Sequence, residues 1–245
     1  MSAIAPERLN RFLSRRGVAS RRRADELIAA GRVTVNGEVG LVGSTVSPGA
    51  DRVRVDGTDV GAAVVVTLAL HKPAGVVTTR RDPHRRRTVM DLVDPIPGLV
   101  PVGRLDTDSR GLLLLTTDGE LAHRVAHPRF GIRKRYRVTV SPQPSDAQLE
   151  RLIAGVKLED GRARALEARR LGGPGVLELV MGEGRRREVR RMCAAVGLEV
   201  TDLLRTAVGP VRLGRIAAGA SRALTDDEDS ALREAVGLGR GSVDG

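Results

Sequence analysis

Apolar residues in the first quarter of the chain follow two periods in turn. Leu9, Phe12 and Leu13 recur at helical spacing until Gly17, and Ser20 opens a second stretch in which Ala24, Leu27 and Ile28 share a face before Gly31. Both predict short amphipathic helices, the second capped by Ser20 and ended by a glycine free to turn left-handed. The period then falls to two. Val33-Thr34-Val35 runs into Asn36-Gly37, and Val53-Arg54-Val55 into Asp56-Gly57. These dipeptides tolerate the positive φ angles of a tight hairpin. Two helices followed by a small sheet therefore fill residues 1–60.

Past a break near residues 57–64 the pattern is less regular. Val100 to Leu105 reads as a short strand and Asp106 to Gly111 as a turn. Leu112 to Leu115 are four consecutive leucines between turn signals, as expected of a strand buried on both faces. Asp118 caps a helix that turns Leu121 and Val125 inward and is stopped by Pro128. Ser145 and Gln148 form a capping box ahead of Leu149, Leu152, Ile153 and Val156. Val176 to Met181 is a strand, and Val189, Met192, Cys193 and Val196 mark a helix closed by Gly197. Strands and helices interleave without regular strand-helix-strand units, so the expected class is α+β: a small N-terminal domain, then a mixed, largely antiparallel domain. The expected bounds are residues 1–60 and 64–236, with a Gly-rich, disordered tail over 237–245.

Charge then narrows the partner. The 245 residues carry a formal net charge of +11, a field that draws in polyanions. Nearly all of it is arginine, since only Lys72, Lys134 and Lys157 are lysines, and the arginines bunch at 8–32, 80–87, 129–137 and 185–191. Guanidinium groups suit phosphate forks and stacking on bases. A single cysteine, Cys193, rules out a disulfide framework, and no signal-like segment opens the chain. The longest apolar stretch, near Val64 to Leu70, is too short to span a bilayer. A cytoplasmic protein with no membrane partner is expected.

Among candidate chemistries, the segment Gly103 to Leu121 stands out because Asp106 lies between Arg104 and Arg110 beside the leucine run. Taken alone, Asp106 is either a turn-closing residue or a reactive acid. Other classes lack a basis. There is no phosphate-loop or dinucleotide-binding glycine motif. His123 and His127 have ligand spacing but no third ligand or metalloprotease glutamate, so no metal is expected and the pair reads as an RNA-facing or solvated surface.

Four further ordered motifs accompany this segment. Gly103-Arg104-Leu105-Asp106 and its surroundings resemble the catalytic motif of the pseudouridine synthases, in the ribosomal-RNA branch typified by RsuA and RluB. Leu70 to Val76, with Lys72-Pro73-Ala74-Gly75, resembles that family's opening strand and turn. Lys134-Arg135-Tyr136-Arg137-Val138 resembles its Lys-x-Tyr-x-Val strand. Glu183 to Met192 resembles its arginine-rich helix start, and Leu203 to Leu213 its closing strand. The N-terminal pattern over residues 7–57, with Gly17-Val18-Ala19-Ser20-Arg21-Arg22 and Gly31 to Gly37, resembles the RNA-binding domain named after the fourth small-subunit ribosomal protein.

The resemblance implies isomerisation of a uridine in ribosomal RNA, with the large-subunit RNA favoured, by a monomer that needs no cofactor. It places Asp106 at the sugar, either as a nucleophile or as a base at the 2′ position. It places Tyr136 against the uracil and Arg190 beside Asp106 as the compensating charge. Arg104, Lys72, Lys134, Leu203 and Arg187 become RNA or pocket contacts, as do Arg21 and Arg22 in the N-terminal domain. Two positions depart from the pattern: Glu188, where glutamine is common and whose charge would either weaken the Asp106 pairing or be absorbed by Arg186 and Arg187, and His71, where asparagine is common. Three alternatives stay open. They are a DNA-binding helix-turn-helix at the N-terminus, a glycosidase-like hydrolase using Asp106 with Asp108, and a non-catalytic RNA-binding or ribosome-assembly factor.

Overall fold

A computed structural model describes residues 5–61 and 65–239. The chain forms two compact units. One is built on the N-terminal residues up to Val66 with two short returns, Pro95–Val100 and Thr116–Gly119; the other contains the rest.

In the N-terminal unit, helix α1 (Leu9–Arg15) and helix α2 (Arg21–Ala29) bury the residues that the periodicity selects. Leu9, Phe12, Leu13, Ala24, Leu27 and Ile28 pack with Val33, Val46 and Val53 in one core. Each such side chain withdrawn from water is worth about 1.5–3 kcal/mol. Ser20 Oγ accepts from the Arg23 amide at 3.3 Å, which caps α2. Both hairpins form, with Asn36 at φ 53° and Gly37 at 94°, and Asp56 at 50° and Gly57 at 78°. They join in a four-stranded antiparallel sheet ordered Glu38–Val39, Val33–Val35, Val53–Val55, Thr58–Asp59.

The larger unit is organised by one mixed sheet. Its strand order is Glu167–Arg170, Val176–Met181, Lys134–Ser141, Glu199–Val208, Arg110–Thr116, Thr67–Lys72, Ser221–Ala223. The first three pairings and the last are antiparallel, whereas Glu199–Val208 and Arg110–Thr116 run parallel. This is the α+β class expected. The leucine run lies near the middle of the sheet and is buried on both faces. Leu112 and Leu114 face helix α3 (Gly119–Ala126) through Leu121 and Val125, and helix α6 (Asp226–Ala235) through Leu232. Helix α4 (Asp146–Ala154) opens with the expected capping box, and helix α5 (Glu188–Ala195) lies on the Glu199 side of the sheet.

Four expectations are corrected. Only Val100–Pro101 of the Val100 to Leu105 segment is strand; beyond it the chain bends toward the turn at Asp106. Val156 does not extend α4, because Gly155 at φ 100° ends the helix and Val156 starts a strand, Val156–Leu158. The segment Asp226–Ala235, inside the expected second domain without an assigned element, forms helix α6, with Thr225 and Glu228 closing a capping box at its start. The tail boundary at Gly237 falls inside the α6 cap, where the Gly237 amide binds Glu234 O at 3.0 Å and the Leu238 amide Arg233 O at 2.8 Å. Residues 240–245 lie outside the described residues.

Candidate active site

The turn after Leu105 creates the site. The Ser109 amide donates to Asp106 O at 3.0 Å, closing the turn. The Asp106 side chain then lines a cavity of about 220 Å³ together with Tyr136, Leu203, Lys134 and Arg205. Among the described residues no hydrogen bond or ion pair engages the Asp106 carboxylate. Asp106 also borders a wider depression of about 800 Å³ reaching Gly75, Arg86, Arg104 and Arg187.

Strand register explains why distant residues meet here. Tyr136 pairs with Leu179 on one side and Arg205 on the other, and Arg205 pairs in turn with Gly111. One rung of the sheet thus runs Leu179, Tyr136, Arg205, Gly111 and ends on the strand that leaves the Asp106 turn. Gly111 is obligatory at its place. With φ at 112°, a Cβ there would lie 2.3 Å from Arg205 O and 2.5 Å from Arg205 N.

Arg205 is a cavity-lining side chain that the motifs did not single out. It is buried, and its Nε donates to Leu112 O at 2.7 Å and its Nη1 to Arg104 O at 3.3 Å. The guanidinium therefore clasps the chain on both sides of Asp106 and puts a fixed positive charge in the cavity wall. A signal was present: in the alternation Leu203, Arg205, Ala207 the arginine takes a core-facing position, a place where a charge is rare unless it is paired.

Lys72 supports the same turn from beneath. It is fully buried, and its ammonium donates to Ser109 O at 2.7 Å, Pro73 O at 3.0 Å and Thr107 O at 3.4 Å. Burial lowers its pKa to about 8, against the pull of Asp108 and Asp106. Lys134 is lowered likewise to about 8, by burial and by Arg205, with Glu188 and Glu183 opposing.

Arg190 does not pair with Asp106. Its Nε lies 3.3 Å from Asp108 Oδ2, its Nη2 donates to Asp108 O at 3.3 Å and its Nη1 to Val200 O at 2.8 Å. Arg187, at the N-terminal boundary of α5 with φ 51°, binds the same Asp108 oxygen at 3.1 Å. The turn sends neighbouring carboxylates in different directions, Asp106 to the cavity and Asp108 to α5. This also removes the basis for an Asp106–Asp108 acid pair, because Asp108 is held by two arginines.

Glu188 is absorbed differently from the expectation too. Its carboxylate accepts from the Arg185 amide at 3.1 Å and lies 3.4 Å from Arg185 Nε, not against Arg186 or Arg187. Burial, then Glu183, pushes its pKa up to about 7. Arg104 is exposed beside the cavity. Arg21 and Arg22 are exposed in the first turn of α2, in the N-terminal unit, and line neither depression. His71 Nδ1 lies 2.8 Å from Ile216 O. Among the described residues no group of three His, Cys, Asp or Glu is placed to hold a metal ion, and no helix is long and apolar enough to cross a membrane.

Comparison with known proteins decides what this arrangement belongs to. The family model for RNA pseudouridylate synthases matches residues 66–195. The chain belongs to the RNA pseudouridylate synthase family. A model of the S4 domain matches residues 7–51. The chain is 43% identical to an uncharacterized RNA pseudouridine synthase of Aquifex aeolicus, over 94% of this chain and 95% of that one. It is 39% identical to ribosomal large subunit pseudouridine synthase B of Bacillus subtilis, over 93% of this chain and 96% of the relative. A crystal structure of a pseudouridylate synthase superposes with a TM-score of 0.66 at 29% identity, covering 92% of this chain and 99% of that one. The family read from the motifs is borne out. As a pseudouridylate synthase the chain is an isomerase of uridine in RNA, and its S4 domain is an RNA-binding module.

Proposed function

We propose that this pseudouridylate synthase converts a specific uridine of large-subunit ribosomal RNA to pseudouridine, with Asp106 as the catalytic carboxylate, in the bacterial cytoplasm and as a monomer without cofactor. The observation that carries this reading is the unengaged Asp106 carboxylate in a cavity walled by Tyr136, Leu203 and Arg205. The subunit is suggested by the relative in Bacillus subtilis, whose name specifies it. The reaction is a redox-neutral isomerisation, which supports the absence of a redox cofactor.

The cavity admits a single nucleotide, so the target uridine leaves its stack before reaction. The bond from the anomeric carbon to the uracil nitrogen breaks, the base turns, and a carbon-carbon bond forms to carbon 5, which gives up its proton. Asp106 either attacks the anomeric carbon, forming a glycosyl ester that the turned base displaces, or removes the 2′ proton to give a glycal-like intermediate. Tyr136 stacks on the uracil, a contact worth about 1–3 kcal/mol, and its hydroxyl helps to move the carbon-5 proton. Leu203 supplies apolar floor, and Lys134 and Arg205 supply positive charge where the detached base is electron-rich. Arg104 lies where it can hold the RNA or fill the gap left by the flipped base. Lys72, Arg187 and Arg190 act as positioning residues, the first through the turn carbonyls and the other two through Asp108. Arg21 and Arg22 bind phosphate on the S4 domain.

Pseudouridine mapping on unmodified large-subunit ribosomal RNA, incubated with wild type and with Asp106→Asn, tests the reading. The expected result is one new pseudouridine that disappears in the variant while RNA affinity stays within about twofold. Unchanged turnover in Asp106→Asn, or loss of RNA binding with that substitution, overturns the assignment of Asp106.

A further inference from the structure

The chain is poor in rings, with one tyrosine, two phenylalanines, four histidines and no tryptophan. Three of them converge at the C-terminal end of α3. The His123 and His127 centroids lie 5.3 Å apart with planes inclined at 55°, and Phe130 meets both edge-on at 6.0 and 6.3 Å. The core does not require this cluster. Leu121 and Val125 form the buried face of α3, whereas His123 and His127 are exposed and Phe130 is half-buried.

The turn that follows holds the rings in place. The Arg129 amide donates to His127 Nδ1 at 3.2 Å, which leaves Nε2 as the ring's donor. Gly131, at φ 66°, closes the turn. The Arg129 guanidinium lies 4.5 Å from the Phe130 centroid and pairs with no described acid. Arg124, by contrast, is committed to Glu120 and to the carbonyls of Val236 and Gly237. Position gives the cluster its meaning. Ala126, between the two histidines, lines the Asp106 cavity together with Gly103 and Arg104.

We propose that His123, His127 and Phe130, with the unpaired charge of Arg129, form a stacking platform for an unpaired RNA base next to the flipped uridine. The proposal rests on the reading of the cavity as the uridine site. Flipping one nucleotide deprives its neighbour of a stacking partner. The exposed imidazoles, on the segment that brings Ala126 to the cavity, replace that partner, and a cation beside them meets the neighbour's phosphate. A base with its phosphate is favoured over a protein acid, because it uses the ring faces and the Arg129 charge together, whereas a carboxylate meets only the donors. The platform is sequence-tolerant, since every base has a face to stack.

The test uses the full chain and the tightest-binding fragment of unmodified large-subunit ribosomal RNA, with single abasic residues scanned through the fragment. His123→Ala/His127→Ala is expected to weaken binding about 10-fold, with only the small fall in thermal stability expected from removing the acceptor of the Arg129 amide. His127→Phe, which keeps a ring and removes the titratable group, is expected to bind as wild type. At one abasic position the wild type is expected to lose the same factor, and there the double variant is expected to lose nothing more. Unchanged affinity in the double variant, failure of His127→Phe to bind as wild type, or losses that add at every abasic position would each overturn the platform. Wild-type turnover on the same fragment separates the two readings. Its absence refutes uridine isomerisation while the binding comparison still judges the platform, and intact turnover with unchanged affinity refutes the platform alone.

Discussion

Gly111→Ala is the substitution in which the strand register of the site has its largest consequence for stability. The residue takes φ 112°, and an added Cβ would lie 2.3, 2.5 and 2.9 Å from the O, N and C atoms of Arg205. These are backbone atoms of the parallel partner strand, so they cannot swing aside as a side chain can. The strained φ costs about 1–2 kcal/mol, and separating the strands adds about 1–3 kcal/mol of overpacking. Loss of a ladder hydrogen bond adds about 1 kcal/mol. The sum is roughly 3–6 kcal/mol. Gly219→Ala isolates the first contribution, because Gly219 also has a positive φ, 84°, but nothing lies within 4 Å of its added Cβ. Tyr136 makes the assay specific. As the only tyrosine in a chain without tryptophan, its fluorescence reports unfolding of the catalytic unit. At a urea m-value of roughly 2 kcal/mol/M, Gly111→Ala should lower the midpoint by about 1.5–3 M and Gly219→Ala by about 0.5–1 M. Equal shifts would refute the claim that the strand carrying Arg205 is seated directly against Gly111.

Two further outcomes follow from buried groups. Glu188 has a folded pKa of about 7 against an ordinary 4.5, so the native state holds its proton through that interval. Its stabilising contribution is complete below pH 4.5 and is lost as pH rises through 7. Urea midpoints of wild type should therefore fall relative to Glu188→Gln between pH 5 and 8, and a difference independent of pH would contradict this. Cys193 is fully buried and its thiol is pushed up to about 12 by burial, so iodoacetamide should leave it unmodified in the native protein and alkylate it readily in urea, because the thiolate is the nucleophile; fast native alkylation would show that α5 opens.

Much of the architecture was legible because it is local. Helical spacing, the Ser20 cap, the Asn36-Gly37 and Asp56-Gly57 turns and the Ser145–Gln148 box each act within a few residues and form as their chemistry dictates. The four leucines announced a strand buried on both faces before any partner was known. Helix α6 was legible in the same way, through Thr225 and Glu228, but was passed over in an acidic, glycine-flanked segment.

The partners of charged residues were not legible, because strand register and turn direction choose them across long separations. Arg205 reaches Leu112 O and Arg104 O from about a hundred residues away, and nothing local marks those carbonyls as its acceptors. Arg190 and Arg187 were both in the motif, yet the hydrogen bond from Ser109 to Asp106 O turns Asp108, not Asp106, toward α5. The ring cluster beside Ala126 is intermediate. Its members lie within eight residues, but only the packing of α3 brings their neighbour Ala126 to the cavity. Periodicity and turn chemistry are short-range, so most helices and strands, and the family motifs they carry, can be read along the chain. The tertiary structure alone decided which cation meets which anion around Asp106, since that depends on the register of strands distant in the chain.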